Sequence, residues 1–270
     1  MQLVTTIIIA INVIIFLLMY KDNPDALWHP STDLLLRAGA NYGPLVANGQ
    51  WWRIITCGFV HVGLAHLLVN MYSLMNLGSI LEQQAGVLKF LLIYFISLIS
   101  GSLLSLYFHP SIISAGASGA IFGLLGCQLL NILGSWRVVR KTQLISWLLS
   151  YLIMVGLYFA IGYFFPQIDN FAHLGGLLGG LVTACTLLPF KEKNKLPNIF
   201  NVVAVTVWAL TIFQANTYVL HQIKEEPALI NASETDLVKA FLKTNKLPLL
   251  KIYPMVMSRK DYVTKRLTVI

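Results

Sequence analysis

Charge is what this chain has least of. Only 11% of its residues are Asp, Glu, Lys or Arg, against about 25% in soluble domains. Because 57% are hydrophobic and mean hydropathy is +0.71, an ordinary soluble globular fold is excluded. Carboxylates are missing from the interiors of the apolar runs; those nearest, Glu82 and Asp169, stand at run boundaries. Chemistry that needs two carboxylates at membrane depth is therefore excluded. No H-E-x-x-H occurs, which removes the usual metalloprotease site. The three cysteines, Cys57, Cys127 and Cys185, lie in or beside apolar stretches with no pairing pattern and read as small buried hydrophobes.

Apolar runs of bilayer-crossing length, roughly 17 to 25 residues, are what the sequence does contain. They read as spans at Leu3–Tyr20, Val62–Leu81, Gly86–Phe108, Ala117–Gly134, Leu144–Phe164 and Phe171–Pro189, with a seventh at Ile199–Leu220 and a soluble tail from 221 to 270. The expected fold is an all-α polytopic bundle of six helices plus one, with a core over 1–198. The first span lacks a basic leader and an A-x-A site, so it reads as a retained helix. Residues 21–60, with Trp28, Trp51, Trp52, Arg37 and Arg53, are too polar to cross and aromatic enough to lie in the membrane interface.

The net charge of +8 does not point to nucleic acid, since the basic residues sit in short loops and the tail. Arg137, Arg140 and Lys141 between spans four and five, and Lys191, Lys193 and Lys195 between six and seven, place both loops in the cytoplasm. The N-terminus is then inside, and spans four and six begin at the outer side. The tail would face outside despite its basic excess, because charge bias governs short loops more than long segments.

Histidine, serine and asparagine remain as the polar groups at depth, where such residues are costly and mark functional sites. In HVGLAHLLVN, His66 and Asn70 are four apart and share a helix face, whereas His61 and His66 are five apart and make a poor chelating pair. No metal site is expected. Two donors on one face suit a developing oxyanion, or they bind helix to helix. In GASG, Ser118 stands at a helix start, where free N–H groups and the helix dipole favour an anion. Gly116 and Gly119 leave room for a second backbone there, but Gly119-x-x-x-Gly123 is equally a packing pattern. In DNFAHLGGLLGG, His173 lies in the first turn of span six, and Gly176 and Gly180 allow that helix to sit against span four. His173 would then meet Ser118, as base to nucleophile. Asp169, four residues earlier, either orients His173 or caps the helix.

With these motifs in hand, the sequence resembles the rhomboid intramembrane serine proteases over roughly residues 1 to 220. The resemblance rests on GQWWR (49–53), H-x-x-x-x-H-x-x-x-N (61–70), GASG (116–119) and AHLGGLLGG (172–180). It implies a dyad of Ser118 and His173, and an oxyanion hole from His66, Asn70 and the Ser118 N–H. It places His61 in a supporting hydrogen-bond network, Trp52 and Arg53 in a loop of the outer leaflet, and the Phe122 ring against the histidine. It implies hydrolysis of peptide bonds in or near the transmembrane segments of single-span or polytopic substrates, without a cofactor. The expected setting is the plasma (inner) membrane with the active site facing outside. A transporter fits less well, since buried charge and inverted halves are both lacking.

Overall fold

The computed structural model describes residues 2–165 and 168–187, with 214 and 217. The expected seventh span and the tail therefore lie outside the described residues, except at those two positions. Helix α1 (Leu3–Asp22) is followed by a 3-10 turn (Pro24–Leu27) and by the short helices α2 (Thr32–Ala38), α3 (Gly43–Ala47) and α4 (Arg53–Thr56). A second 3-10 turn (Cys57–Phe59) leads into α5 (Leu64–Ala85), α6 (Val87–Phe108), α7 (Ser118–Gly134), α8 (Lys141–Phe164) and α9 (Asn170–Leu187). Five of these helices, α1, α5, α6, α8 and α9, are long and apolar enough to cross a bilayer. The chain is a multi-pass helical membrane protein.

Helix α7 is the short one, 17 residues, or about 26 Å at the usual rise. That falls below the roughly 30 Å of hydrocarbon that a spanning helix must cover. It is also the most enclosed, with a run of buried residues from Gly119 to Cys127. The glycines explain how it fits. A Cβ at Gly176 of α9 would run into the Gly119 backbone, and one at Gly180 into the Gly123 backbone. On the other side of α9, a Cβ at Gly175 would meet the Ser100 carbonyl and Gly101 Cα of α6. Three helices thus touch main chain to main chain around α9, the contact that small residues permit in lipid, where no hydrophobic effect drives helices together.

Helix α8 is the opposite case. Of its 24 residues only Tyr151 and Gly162 are buried; one face, with Leu148, Tyr151, Val155 and Phe159, packs on α7, and the opposite face is exposed among the described residues.

The segment between α1 and α5 folds on itself. Arg53 is 5% exposed; one guanidinium nitrogen donates to the Leu36 and Ala40 carbonyls at 2.7 and 2.8 Å, and Nε donates to Gln50 Oε1 at 2.8 Å. This staples α4 to the C-terminal end of α2. Trp28, Trp51 and Trp52 stay half-exposed or more, as rings at a membrane interface do. The same segment grips the loop before α7. Asn41 and Ser114 exchange both backbone hydrogen bonds at 2.9 Å, and the Gly43 N–H donates to the Pro110 carbonyl at 2.9 Å.

Candidate functional site

The loop held by the first segment delivers Ser118. Its last fixed point is the Gly116 N–H, which donates to the Cys57 carbonyl at 2.9 Å. Gly116 has φ +125°, and a Cβ there would stand 2.6 Å from His66 Cε1. Only glycine fits both the left-handed backbone and the imidazole lying against it. The turn places Ser118 in the first turn of α7.

His173 meets the serine from α9. Its Nε2 is 3.0 Å from Ser118 Oγ, and its ring stacks flat on Phe122 with centroids 4.2 Å apart and 9° between planes. Phe159 from α8 stands beside both rings, 5.4 Å from Phe122 and 6.4 Å from His173. Nδ1 is buried without a protein hydrogen-bond partner. Asp169 does not supply one. Its Oδ1 accepts the Phe171 and Ala172 N–H groups at 3.1 and 3.0 Å, and its Oδ2 accepts from Ser105 Oγ. Asp169 is the N-cap of α9, tied sideways to α6.

His66 lies on the third side. Its Nδ1 accepts the Val62 N–H at 3.3 Å, so a neutral ring carries its proton on Nε2. That nitrogen faces Gly116, at 2.9 Å from where a Cβ would be. Asn70, one turn on, uses one amide hydrogen on the His66 carbonyl at 2.9 Å and keeps a second. His61 stands before that helix, because Gly63 at φ +93° breaks the chain before α5 starts at Leu64. Its ring is fully buried, 5.2 Å from that of His66, and neither nitrogen has a protein hydrogen-bond partner. It is a packing neighbour of His66 and hydrogen-bonds to no other side chain.

Ser118, His173, Phe122, His66 and the glycines 116, 119 and 176 are thus gathered at one place, while Gly180 lies further along α9 against Gly123. Trp52 and Arg53 are engaged elsewhere: Arg53 lies over the Trp52 ring at 4.5 Å and braces the first segment. Sequence reasoning missed Ser105 and the backbone of Val62; a serine four residues after a packing glycine carried no signal of its own. Among the described residues no group of three His, Cys, Asp or Glu comes together as metal ligands.

Residues 48–190 match the family model described as the Rhomboid domain, more than half of the 270-residue chain. The chain belongs to the rhomboid family. It is 42% identical over 160 residues to RHOMBOID-like protein 6, mitochondrial, of Arabidopsis thaliana, covering 59% of this chain and 51% of that protein. It is 37% identical over 183 residues to Rhomboid protease GluP of Bacillus subtilis (strain 168), covering 68% and 34%. Against Rhomboid-like protease 3 of Toxoplasma gondii it is 33% identical over 175 residues, covering 65% of each. This rhomboid chain spans about half the length of the Arabidopsis relatives it matches.

Proposed function

We propose that this rhomboid chain is an intramembrane serine endopeptidase, with Ser118 as nucleophile and His173 as general base. The observation that carries the reading is the 3.0 Å contact between Ser118 Oγ and His173 Nε2, inside a helical bundle with no carboxylate on the imidazole. Two of its relatives are named as proteases.

The Ser118 hydroxyl gives its proton to Nε2 as Oγ attacks the scissile carbonyl. The imidazolium then returns that proton to the leaving amine, and a water repeats the cycle on the acyl-enzyme. As Oγ bonds to carbon, the negative charge falls on the carbonyl oxygen beside Gly116. His66 Nε2–H, the spare Asn70 amide hydrogen and the Ser118 N–H are its donors, fixed beforehand and in low dielectric, where such bonds are strong. The flat stack on Phe122 restrains the imidazole's tilt while it shuttles the proton.

Water reaches this depth because α7 is too short to carry its first turn to the membrane surface, so the polar cluster opens toward the outer side. The substrate is a membrane protein, single-span or polytopic, whose helix unwinds near that boundary, since an intact helix hides its own carbonyl carbons. The N-terminus lies in the cytoplasm and the site faces outward in a plasma membrane. The unit over 1–198 is the catalytic core, followed by a seventh span at 199–220 and a soluble tail at 221–270.

The test labels purified protein with a fluorophosphonate and follows cleavage of a single-span model substrate in proteoliposomes. Wild type labels and cleaves; Ser118→Ala and His173→Ala do neither. Labelling or cleavage by Ser118→Ala refutes the assignment. A folded wild type that neither labels nor cleaves any such substrate favours a client-binding relative.

A further inference from the structure

His173 sits in the first turn of α9, which the glycine contacts reach only at the Ala172 carbonyl, lying against Gly101 of α6 and Gly119 of α7. From Gly175 onward, α9 lies main chain to main chain against Ser100 and Gly101 on one side and Gly119 and Gly123 on the other. Those contacts fix the body of the helix. In the turn holding residues 170–174 the remaining ties are side-chain ones. The Phe171 ring stacks on Phe108 at 4.2 Å. Asn170 Nδ2 donates to the Phe159 carbonyl of α8 at 3.1 Å, but α8 is itself exposed along nearly all its length. The hydrogen-bonded tie to the rigid part of the bundle is the Asp169 carboxylate, which takes the Phe171 and Ala172 N–H groups on one oxygen and the Ser105 hydroxyl of α6 on the other. The His173 N–H in turn donates to the Asp169 carbonyl at 3.2 Å.

We propose that Asp169 is the positioning residue of His173: its carboxylate bridges the first turn of α9 to Ser105 on α6 and so sets the depth and rotation at which the imidazole meets Ser118. The inference rests on the dyad reading above. Both carboxylate oxygens are taken up by the cap and the bridge, and His173 Nδ1 has no protein partner. The effect therefore runs through backbone placement and not through a carboxylate–imidazole hydrogen bond. A fraying of that turn by about 1 Å is enough to cost on the order of 10²-fold in rate.

The acceptor geometry and not the charge is what the bridge needs. In Asp169→Asn the Oδ1 acceptor remains on the two N–H groups, asparagine being as good an N-cap as aspartate, while Nδ2–H donates to Ser105 Oγ. The experiment compares Asp169→Ala, Asp169→Asn and Ser105→Ala with wild type in proteoliposomes. It reads kcat and KM on a single-span substrate, the rate of fluorophosphonate labelling of Ser118, and the thermal midpoint. The expected result is a fall in kcat of roughly 10- to 100-fold for Asp169→Ala, matched by slower labelling of Ser118 at unchanged KM. Ser105→Ala shows a smaller loss of the same kind, and Asp169→Asn stays within about 3-fold of wild type. An asparagine variant as impaired as the alanine one overturns the proposal, since the charge would then be the agent. So does an Asp169→Ala variant with wild-type kcat, or one that loses cleavage while labelling at the wild-type rate. Cleavage by Ser118→Ala, run alongside, is the separate result that removes the dyad itself.

Discussion

Glu82 offers a way to weigh one buried charge. It sits in the last turn of α5, 5% exposed, and its carboxylate caps a different helix. Oε1 accepts the Val4 N–H at 3.0 Å, and Oε2 accepts the Thr5 N–H at 2.8 Å and the Thr5 hydroxyl at 2.7 Å. Gln2, the residue preceding α1, makes no side-chain cap of its own, so Glu82 serves as that helix's N-cap from across the interface. Glu82→Ala removes a cap, about 0.5–2 kcal/mol, and orphans a buried hydroxyl on Thr5, about 1–3 kcal/mol. The expected loss is about 3 kcal/mol. Glu82→Gln keeps an acceptor but loses the negative charge at the positive end of α1, and should cost about 1–2 kcal/mol. Thr5→Val alone should cost about 1 kcal/mol, and less than half of that in the Glu82→Ala background, where the hydroxyl has no partner to lose. Unfolding in mixed micelles with rising dodecyl sulfate measures all four variants. A Glu82→Ala protein within about 0.5 kcal/mol of wild type, the range of an ordinary surface change, would refute the cross-helix cap. So would strict additivity with Thr5→Val.

Three further outcomes follow from the same geometry. Gly176→Ala places a Cβ into the Gly119 backbone, forcing α9 off α7 and His173 off Ser118; cleavage and the thermal midpoint should both fall, while Gly156→Ala, with open space at its Cβ, should change neither. Equal tolerance at the two sites contradicts the packing account. His66→Ala should lower kcat by about 10²–10³, with KM little changed; a purely structural role would instead lower the thermal midpoint along with activity. Substrates with small or helix-breaking residues near the outer boundary should be cut faster than polyleucine spans, measured as kcat/KM in proteoliposomes, and equal rates would count against the need for unwinding.

The spans were legible in the sequence because each apolar run is long and uninterrupted, and composition alone sets that signal. Their ends were less so. The second span starts at Leu64 and runs to Ala85, later than hydropathy places it at both ends, because Gly63 takes a left-handed φ and because Glu82 is satisfied inside the bundle. A hydropathy window counts Glu82 as an end marker; it cannot see the three donors on α1. The two glycine pairs, Gly119 with Gly176 and Gly123 with Gly180, were readable from their spacing of four. Their partnership across α7 and α9 brings the two helices main chain to main chain. Arg53 and Ser105 were not readable as what they are. Arg53 looks like an interfacial cation and is a buried brace on two carbonyls, while Ser105 is one of many serines until Asp169 is placed beside it. Side chains whose role is to hold backbone give no periodicity and no motif.

The same constraint explains why Ser118 stands between glycines. Gly116 must turn left-handed and lie against His66, so the position two before the serine cannot carry a side chain. Gly119 is where α9 comes closest, and there it is Gly176 of α9 whose Cβ would strike the Gly119 backbone. A helix that packed equally well but began one turn earlier would bury the serine's N–H in its own ladder and carry it out of His66's reach. Beginning α7 at residue 118 leaves that N–H among the four free donors of a helix start. Packing and chemistry therefore make the same demand on residues 116–119, and a change that satisfies only one of them should fail on the other.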